Sequence, residues 1–403
     1  MYIERTIGKV VDRLLKQYKV VLVTGPRQVG KTTLLRHELA ETYGYVTLDD
    51  DQALSLALDD PILFFRSYVP PVVVDEVQRA QDLFRQIKFL VDKSDQKGMI
   101  VLTGSQTYHL MQNVSESLAG RIAILEMSGL SLREIDRADR RAPFTPTDSI
   151  IGDASEMKSA RDIWARIHRG SMPELQNPEI EWGFFYSNYV RTYIERDVRS
   201  LIALKDENLF YKFLVSLAAR TGQLFNAHTI ASDIGVTLKT IQSWASILET
   251  SGIIRFVRPY FDNISKQLTK TPKLYVMDCG LVCHLLGWST PEVLENGAMA
   301  GPIFETFVVS EILKSYLNAG EDVRDVFFYR DVQKREIDLI IKRENVLHPI
   351  EIKKSATPNK EMVQRFSALE SLGAQKGTGA LICLANESRY LTEDVITIPV
   401  DLI

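Results

Sequence analysis

Cysteine is scarce in this 403-residue chain. Its three copies, Cys279, Cys283 and Cys383, exclude a disulfide framework and agree with a reducing compartment. The cluster Cys279, Cys283, His284 lacks C-x-x-C spacing and an evident fourth ligand, so buried thiols are expected there rather than a metal. Long apolar runs are also missing: none approaches the ~20 residues of a membrane span. The opening Met1-Tyr2-Ile3-Glu4-Arg5 lacks the basic-then-apolar layout of a signal peptide, which points to the cytoplasm and away from membranes. Nor is there an excess of positive charge. A net charge of -4 gives no global pull toward nucleic acid, so any such contact must rest on a local patch. No internal repeat or low-complexity tract occurs.

What remains is a globular composition, 45% hydrophobic and 25% charged, too apolar for a disordered chain and too poor in glycine for a collagen-like one. At about 100–200 residues per domain, two to four domains are expected. The first third alternates short β-branched runs (Val20-Val21-Leu22-Val23, Val72-Val73-Val74, Met99-Ile100-Val101-Leu102) with helical stretches, the pattern of a doubly wound α/β sheet. The segment Arg137 to Ser159 reads as an exposed linker. A helical, aromatic-rich unit follows from Ala160. Next comes a helix stopped by Gly235, a second capped by Thr237 and running from Leu238 to Glu249, then two strands around Arg255 and Tyr275. Helix, glycine turn, helix, hairpin is a winged helix-turn-helix outline. Residues 296–403 read as a further α/β domain. The expected division is 1–155, 156–204, 205–295 and 296–403.

Gly25-Pro26-Arg27-Gln28-Val29-Gly30-Lys31-Thr32 fits G-x-x-x-x-G-K-[ST], follows an apolar strand and opens a helix with Thr33. Backbone N–H groups there would cradle phosphates, Lys31 would reach the β- and γ-phosphates, and Thr32 would ligate magnesium. ATP and Mg2+ are the expected cofactors. The triple valine before Asp75-Glu76 delivers two carboxylates at a strand end: Asp75 for the metal, Glu76 to polarise the attacking water. The third strand ends in Thr103-Gly104-Ser105. Ser105 is the candidate γ-phosphate sensor, although an ordinary strand-to-helix turn explains it as well.

The order of these elements resembles the AAA-type ATPases. Ser117-Leu118-Ala119-Gly120-Arg121-Ile122 resembles the segment carrying the arginine finger in that superfamily, the bacterial Holliday-junction branch-migration motors included. The resemblance implies that Arg121 acts in trans on a neighbour's nucleotide within a homo-oligomeric ring, a hexamer among the options. A surface salt bridge is the plainer alternative. More narrowly, the chain resembles prokaryotic ATP-binding proteins that join an AAA-type core, a helical lid, a winged helix and a C-terminal nuclease-like domain. The fragments carrying this are Thr24 to Thr33, Asp75-Glu76-Val77-Gln78, Leu118 to Arg121, Gly170-Ser171-Met172-Pro173-Glu174, and Tyr193 to Val198. Glu174 stands where a lid arginine often follows the proline, leaving Arg169 or Arg196 as lid sensor.

The winged segment is locally basic, with Lys239, Arg255, Arg258, Lys266, Lys270 and Lys273. DNA contacts are expected at Thr237, Lys239, Thr240, Gln242, Arg255 and Arg258; the same unit also serves elsewhere as a protein-interaction module. In the last domain, a symmetric hairpin turning at Lys342-Arg343-Glu344-Asn345 sets Asp338 opposite Glu351, with Lys353 on the same face. This trio can bind magnesium and position a water, or form a cross-strand ion pair. The pattern resembles the PD-(D/E)xK nuclease superfamily, which implies Glu305 on the preceding helix as a further metal ligand. The overall expectation is a Mg2+-dependent ATPase that binds and moves or processes DNA. The alternative is a nucleotide-driven signalling or defence switch whose other domains bind protein.

Overall fold

The computed structural model describes residues 2–104, 118–138, 142–154, 160–194, 207–261, 267 and 270–403. The amphipathic α1 (Gly8–Leu15) leads into β1 (Val20–Thr24). There follow α2 (Lys31–Leu39), β2 (Gly44–Thr47), α3 (Asp51–Asp59), α4 (Pro61–Ser67), β3 (Val72–Asp75), α5 (Leu83–Asp92), β4 (Ile100–Thr103) and β5 (Ile122–Glu126). The five strands form one parallel sheet in the order β2-β3-β4-β1-β5. Its valine-rich runs are continuous because both faces are covered. Val21, Val23, Val73 and Val101 face α1 and α2, whereas Val20, Leu22, Val72, Val74, Ile100 and Leu102 face α3, α4 and α5. β4 lies between β1 and β3, so the strand ends carrying Thr24, Thr103 and Asp75 line one edge.

The expected linker is anchored where it is described. Phe144 is buried; its N–H donates to Ser315 Oγ at 2.9 Å and its carbonyl accepts from the Tyr316 hydroxyl at 3.1 Å. The helical stretch from Ala160 is broken after Arg169 by an irregular turn, then continues through Trp182–Asn188 and a π-helical turn, Tyr189–Ile194. Beyond it stand helices Glu207–Ala218, Ala227–Ile234 and Leu238–Thr250. Gly235, at φ 82°, ends the second, and the Thr237 hydroxyl caps the third by accepting from Thr240 N–H at 3.1 Å.

Strands β6 (Gln223–Leu224), β7 (Ile254–Pro259) and β8 (Lys273–Val276) do not form a separate sheet. β7 pairs in parallel with β9 (Val326–Arg330), Arg258 standing opposite Phe327. β9 continues into β10 (Glu336–Arg343), β11 (Val346–Ile352), β12 (Gln375–Lys376), β13 (Gly379–Cys383), β14 (Arg389–Tyr390) and β15 (Val395–Pro399). The result is a ten-stranded sheet in the order β14-β15-β13-β11-β10-β9-β7-β8-β6, with β12 beside β11. The boundary expected at 295/296 is therefore bridged by backbone hydrogen bonds. Helix Ala300–Ala319, buried almost all round, packs beneath the joint.

Candidate functional site

The phosphate loop connects β1 to α2 and depends on two glycines. Gly25 holds φ 136°, and a Cβ there would lie 2.0 Å from the Met127 carbonyl oxygen; Gly30 holds φ 92°. Among the described residues no side chain caps α2, which leaves its first N–H groups directed at the loop. Lys31 is buried, its ammonium donating to the carbonyls of Gly25 at 2.9 Å and Pro26 at 2.7 Å. Thr32 donates to Asp75 Oδ2 at 3.0 Å, and the Tyr45 hydroxyl donates to the same oxygen at 2.7 Å. Burial, followed by this bond to Asp75, pushes the Tyr45 phenol upward, so it stays a donor. Glu76 is half-buried and accepts from the Gln78 amide.

The chemistry of this donor set fits a magnesium nucleotide. Three buried polar atoms without a hydrogen-bond partner stand around it: Gln28 Oε1 on the loop, Thr103 Oγ1 at the end of β4, and Gln78 Oε1 after β3. Such groups are costly unless something pairs with them. Thr103 is the described polar residue at the end of β4; the expected sensor Ser105 lies outside the described residues, as do Ser117, Arg196 and Lys266.

Sequence reasoning missed the parts that brace the loop. Arg5, 5% exposed, donates to the carbonyls of Val29 at 2.7 Å and Ser128 at 2.8 Å and pairs with Glu134 at 3.1 Å. A lone arginine before an amphipathic helix offers no signal for that role. The Gly170-Ser171-Met172-Pro173 turn is held by Asp278, which accepts from Ser171 N–H at 2.8 Å, Ser171 Oγ at 2.6 Å and the Tyr186 hydroxyl at 2.6 Å. Pro173 lies beside Gly30, and Gly252, at the end of helix Leu238–Thr250, lies against the Pro26 ring. The floor of the loop is thus made by distant segments.

The guanidinium of Arg169, one of the two lid-sensor candidates, is committed to the carbonyls of Leu175, Asn177 and Ile180 at 2.7–2.9 Å. Arg121 precedes β5 at the sheet end opposite its own phosphate loop, and forms an ion pair with Asp92 at 2.5 Å. Of the expected DNA contacts, Lys239 and Gln242 are exposed on the third helix, and Thr237 and Thr240 form its first-turn cap. Arg258 is exposed on β7. Arg255 is instead ion-paired with Glu126 of β5, and Lys273 is buried.

In the last domain Leu339 stands opposite Ile350, which carries Asp338 to the level of Glu351. Lys353 donates to Glu351 Oε1 at 2.6 Å and lies 3.6 Å from Asp338 Oδ2, which also accepts from Ile352 N–H at 2.9 Å. Burial, then the neighbouring Asp338, raises the Glu351 carboxyl to about 7. Glu305 accepts from Lys273 at 3.0 Å and the Tyr275 hydroxyl at 2.8 Å, and burial followed by the neighbouring Asp338 pushes its carboxyl up. Among the described residues no three His, Cys, Asp or Glu side chains are grouped as a ready metal cage, and Glu305, Asp338 and Glu351 are each met by a lysine. Their charge is met by Lys353 and Lys273. At Cys279 and Cys283, burial pushes both thiols up, away from the thiolate form.

Across 395 residues the chain is 29% identical to an uncharacterised protein of Mycobacterium tuberculosis and to one of Mycobacterium bovis, covering 97% of this chain and 82% of each of theirs. Among solved structures it is similar to a Walker-type ATPase of Pyrococcus abyssi (TM-score 0.41, 16% identity, 70% of this chain and 96% of that one). It is also similar to RuvB of Thermotoga maritima (TM-score 0.30, 16% identity, 62% and 88%). Residues 160–292 and 300–403 each match a domain family of unknown function. Residues 17–136, which hold the phosphate loop, Asp75 and Glu76, match the AAA domain family.

Proposed function

We infer that the protein is a magnesium-dependent ATPase that assembles with copies of itself and couples hydrolysis to a grip on DNA. The observation carrying the ATPase reading is the meeting of Thr32 with Asp75 across β1 and β3, beside the buried Lys31. Thr32 and Asp75 would hold magnesium, which when bound offsets charge on the β- and γ-phosphates. Lys31 exchanges its bonds to the loop carbonyls for phosphate oxygens, the N–H groups of α2 hold the remaining oxygens, and Glu76 takes the proton of the attacking water. The Thr103 hydroxyl has a free valence for the γ-phosphate.

The placement of Arg121 away from its own loop supports a role on a neighbouring copy. The order of helices and strands from Glu207 to Val276 supports a winged helix-turn-helix, with Lys239, Gln242 and Arg258 as its solvent-facing DNA contacts. The test is the ATP hydrolysis rate of wild-type, Lys31→Ala and Glu76→Gln proteins, with and without single-stranded, duplex and branched DNA. Hydrolysis lost in both variants and stimulated by DNA in the wild type is expected. A Glu76→Gln protein at the wild-type rate overturns the assignment of the base. The internal pairing of Arg255 and Lys273 thins the basic face and favours a second reading, a slow nucleotide-driven switch that binds protein. Hydrolysis indifferent to every DNA form would select it.

A further inference from the structure

Gln78 has one end committed and the other buried without a partner. Its amide nitrogen donates to Glu76 Oε2. A carboxylate only accepts, so the nitrogen must face Glu76 and the carbonyl Oε1 must face away. That Oε1 is buried and has no hydrogen-bond partner. It requires a donor, and no side chain among the described residues supplies one.

The backbone is shaped to hold this arrangement. Glu76 has φ 56° and ψ 40°, a left-handed conformation that costs energy in a residue with a Cβ. A single 3-10 turn follows, Val77–Arg79, closed by Arg79 N–H to the Glu76 carbonyl at 3.1 Å. The turn brings Gln78 back over the carboxylate two residues before it. Arg79 fixes its far end to Asp49 at 2.8 Å, and the fully buried Val77 anchors its centre. Strain of this kind, fixed on both sides, suits a group that must be in place before the reaction.

We propose that Gln78 positions the attacking water together with Glu76, an inference that rests on the ATPase reading above. A water between them gives one O–H to the Glu76 carboxylate and the other to Gln78 Oε1, leaving a lone pair directed at the γ-phosphorus. As the water oxygen bonds to phosphorus, the bond from phosphorus to the β,γ-bridging oxygen breaks and ADP departs with that electron pair. One water proton passes to Glu76; the other stays on the inorganic phosphate, still hydrogen-bonded to Gln78 until release. Gln78 carries no proton itself. Its amide donor keeps the Glu76 carboxylate turned toward the water.

The test uses the full chain with Gln78→Leu and Gln78→Met, which keep size and remove both polar ends. Hydrolysis should fall about tenfold to a hundredfold in kcat with KM for ATP unchanged within about twofold. The wild type should bind ADP with aluminium fluoride far more tightly than ADP alone, and both variants should lose that tightening while keeping ADP affinity. Wild-type kcat in either folded variant overturns the proposal. So does a fall in kcat accompanied by equal losses of ADP affinity and thermal stability, which marks a structural role. The two readings fail separately: an inactive wild type would sink the ATPase reading itself. An active wild type with a dead Glu76→Gln protein upholds that reading and leaves the Gln78 variants to decide the role of Gln78 alone.

Discussion

Lys273 on β8 and Glu305 on the 300–319 helix meet at 3.0 Å, across the boundary between two segments of the chain. The same ammonium reaches Glu336 at 2.7 Å and is 3% exposed. It satisfies two carboxylates with almost no help from water, so its removal leaves uncompensated charge rather than a vacant surface position.

Lys273→Met should therefore destabilise the folded protein by about 3–5 kcal/mol, the usual cost of breaking a buried pair from one side. The double variant with Glu305→Gln should recover part of the loss. Denaturant titration of the full chain measures both. A Lys273→Met protein of wild-type stability would show that these carboxylates are protonated or solvated.

Glu351 makes stability depend on pH. Its carboxyl is raised to about 7 by burial and by Asp338, against the opposing pull of Lys353 and Arg365. A carboxyl with a raised folded value gives its full contribution below its unfolded value of about 4.3 and loses it as pH rises through about 7. Compared with wild type, Glu351→Gln should gain stability over that window, by about 2–3 kcal/mol at its upper end. Parallel stability curves from pH 4 to 8 would count against it.

The Tyr45 hydroxyl shares Asp75 Oδ2 with Thr32. Tyr45→Phe should leave the fold intact and raise the magnesium concentration for half-maximal hydrolysis severalfold, because Asp75 loses a donor that fixes its orientation. An unchanged magnesium dependence would mean that Thr32 alone orients the carboxylate.

Arg121 is held by Asp92 in an exposed pair, which contributes little to stability. Arg121→Ala should bind ATP normally and hydrolyse it slowly. Mixing it with the Lys31→Ala protein should restore activity, one partner supplying the pocket and the other the arginine. No recovery in any mixture would refute action between copies.

On the third helix, charge reversal at Lys239 should weaken DNA binding and reduce the salt slope by about one. Reversal at Arg255 should instead lower thermal stability, since its partner is Glu126. Equal effects of the two on DNA affinity would mean that the Arg255 pair opens to meet the nucleic acid.

The contrast between Lys239 and Arg255 also marks what was legible in the sequence. The phosphate loop is contiguous, and its chemistry requires glycine, lysine and threonine at fixed spacing, so Gly25 to Thr33 could be read directly. The β10–β11 register follows from a short turn, which is why Asp338 and Glu351 could be aligned. Arg5 with Val29, Arg255 with Glu126, and Lys273 with Glu305 are contacts between segments far apart in sequence. Nothing local distinguishes such a cation from one that faces solvent. The carbonyl partners of Arg169 were hidden for the same reason: such a contact leaves no trace in residue type.

The pairing of β7 with β9 bears on how such a chain can be divided or recombined. A fragment beginning at residue 296 would carry an unpaired β9 edge, and Glu305 and Glu336 would be stripped of the ammonium that neutralises them. An exposed strand edge beside uncompensated acid favours aggregation over independent folding. Gene fusions or chimaeras that exchange the last hundred residues alone should fail, and an exchange beginning before Glu207 must still supply Ser171, Tyr186 and Glu126 as partners for Asp278 and Arg255.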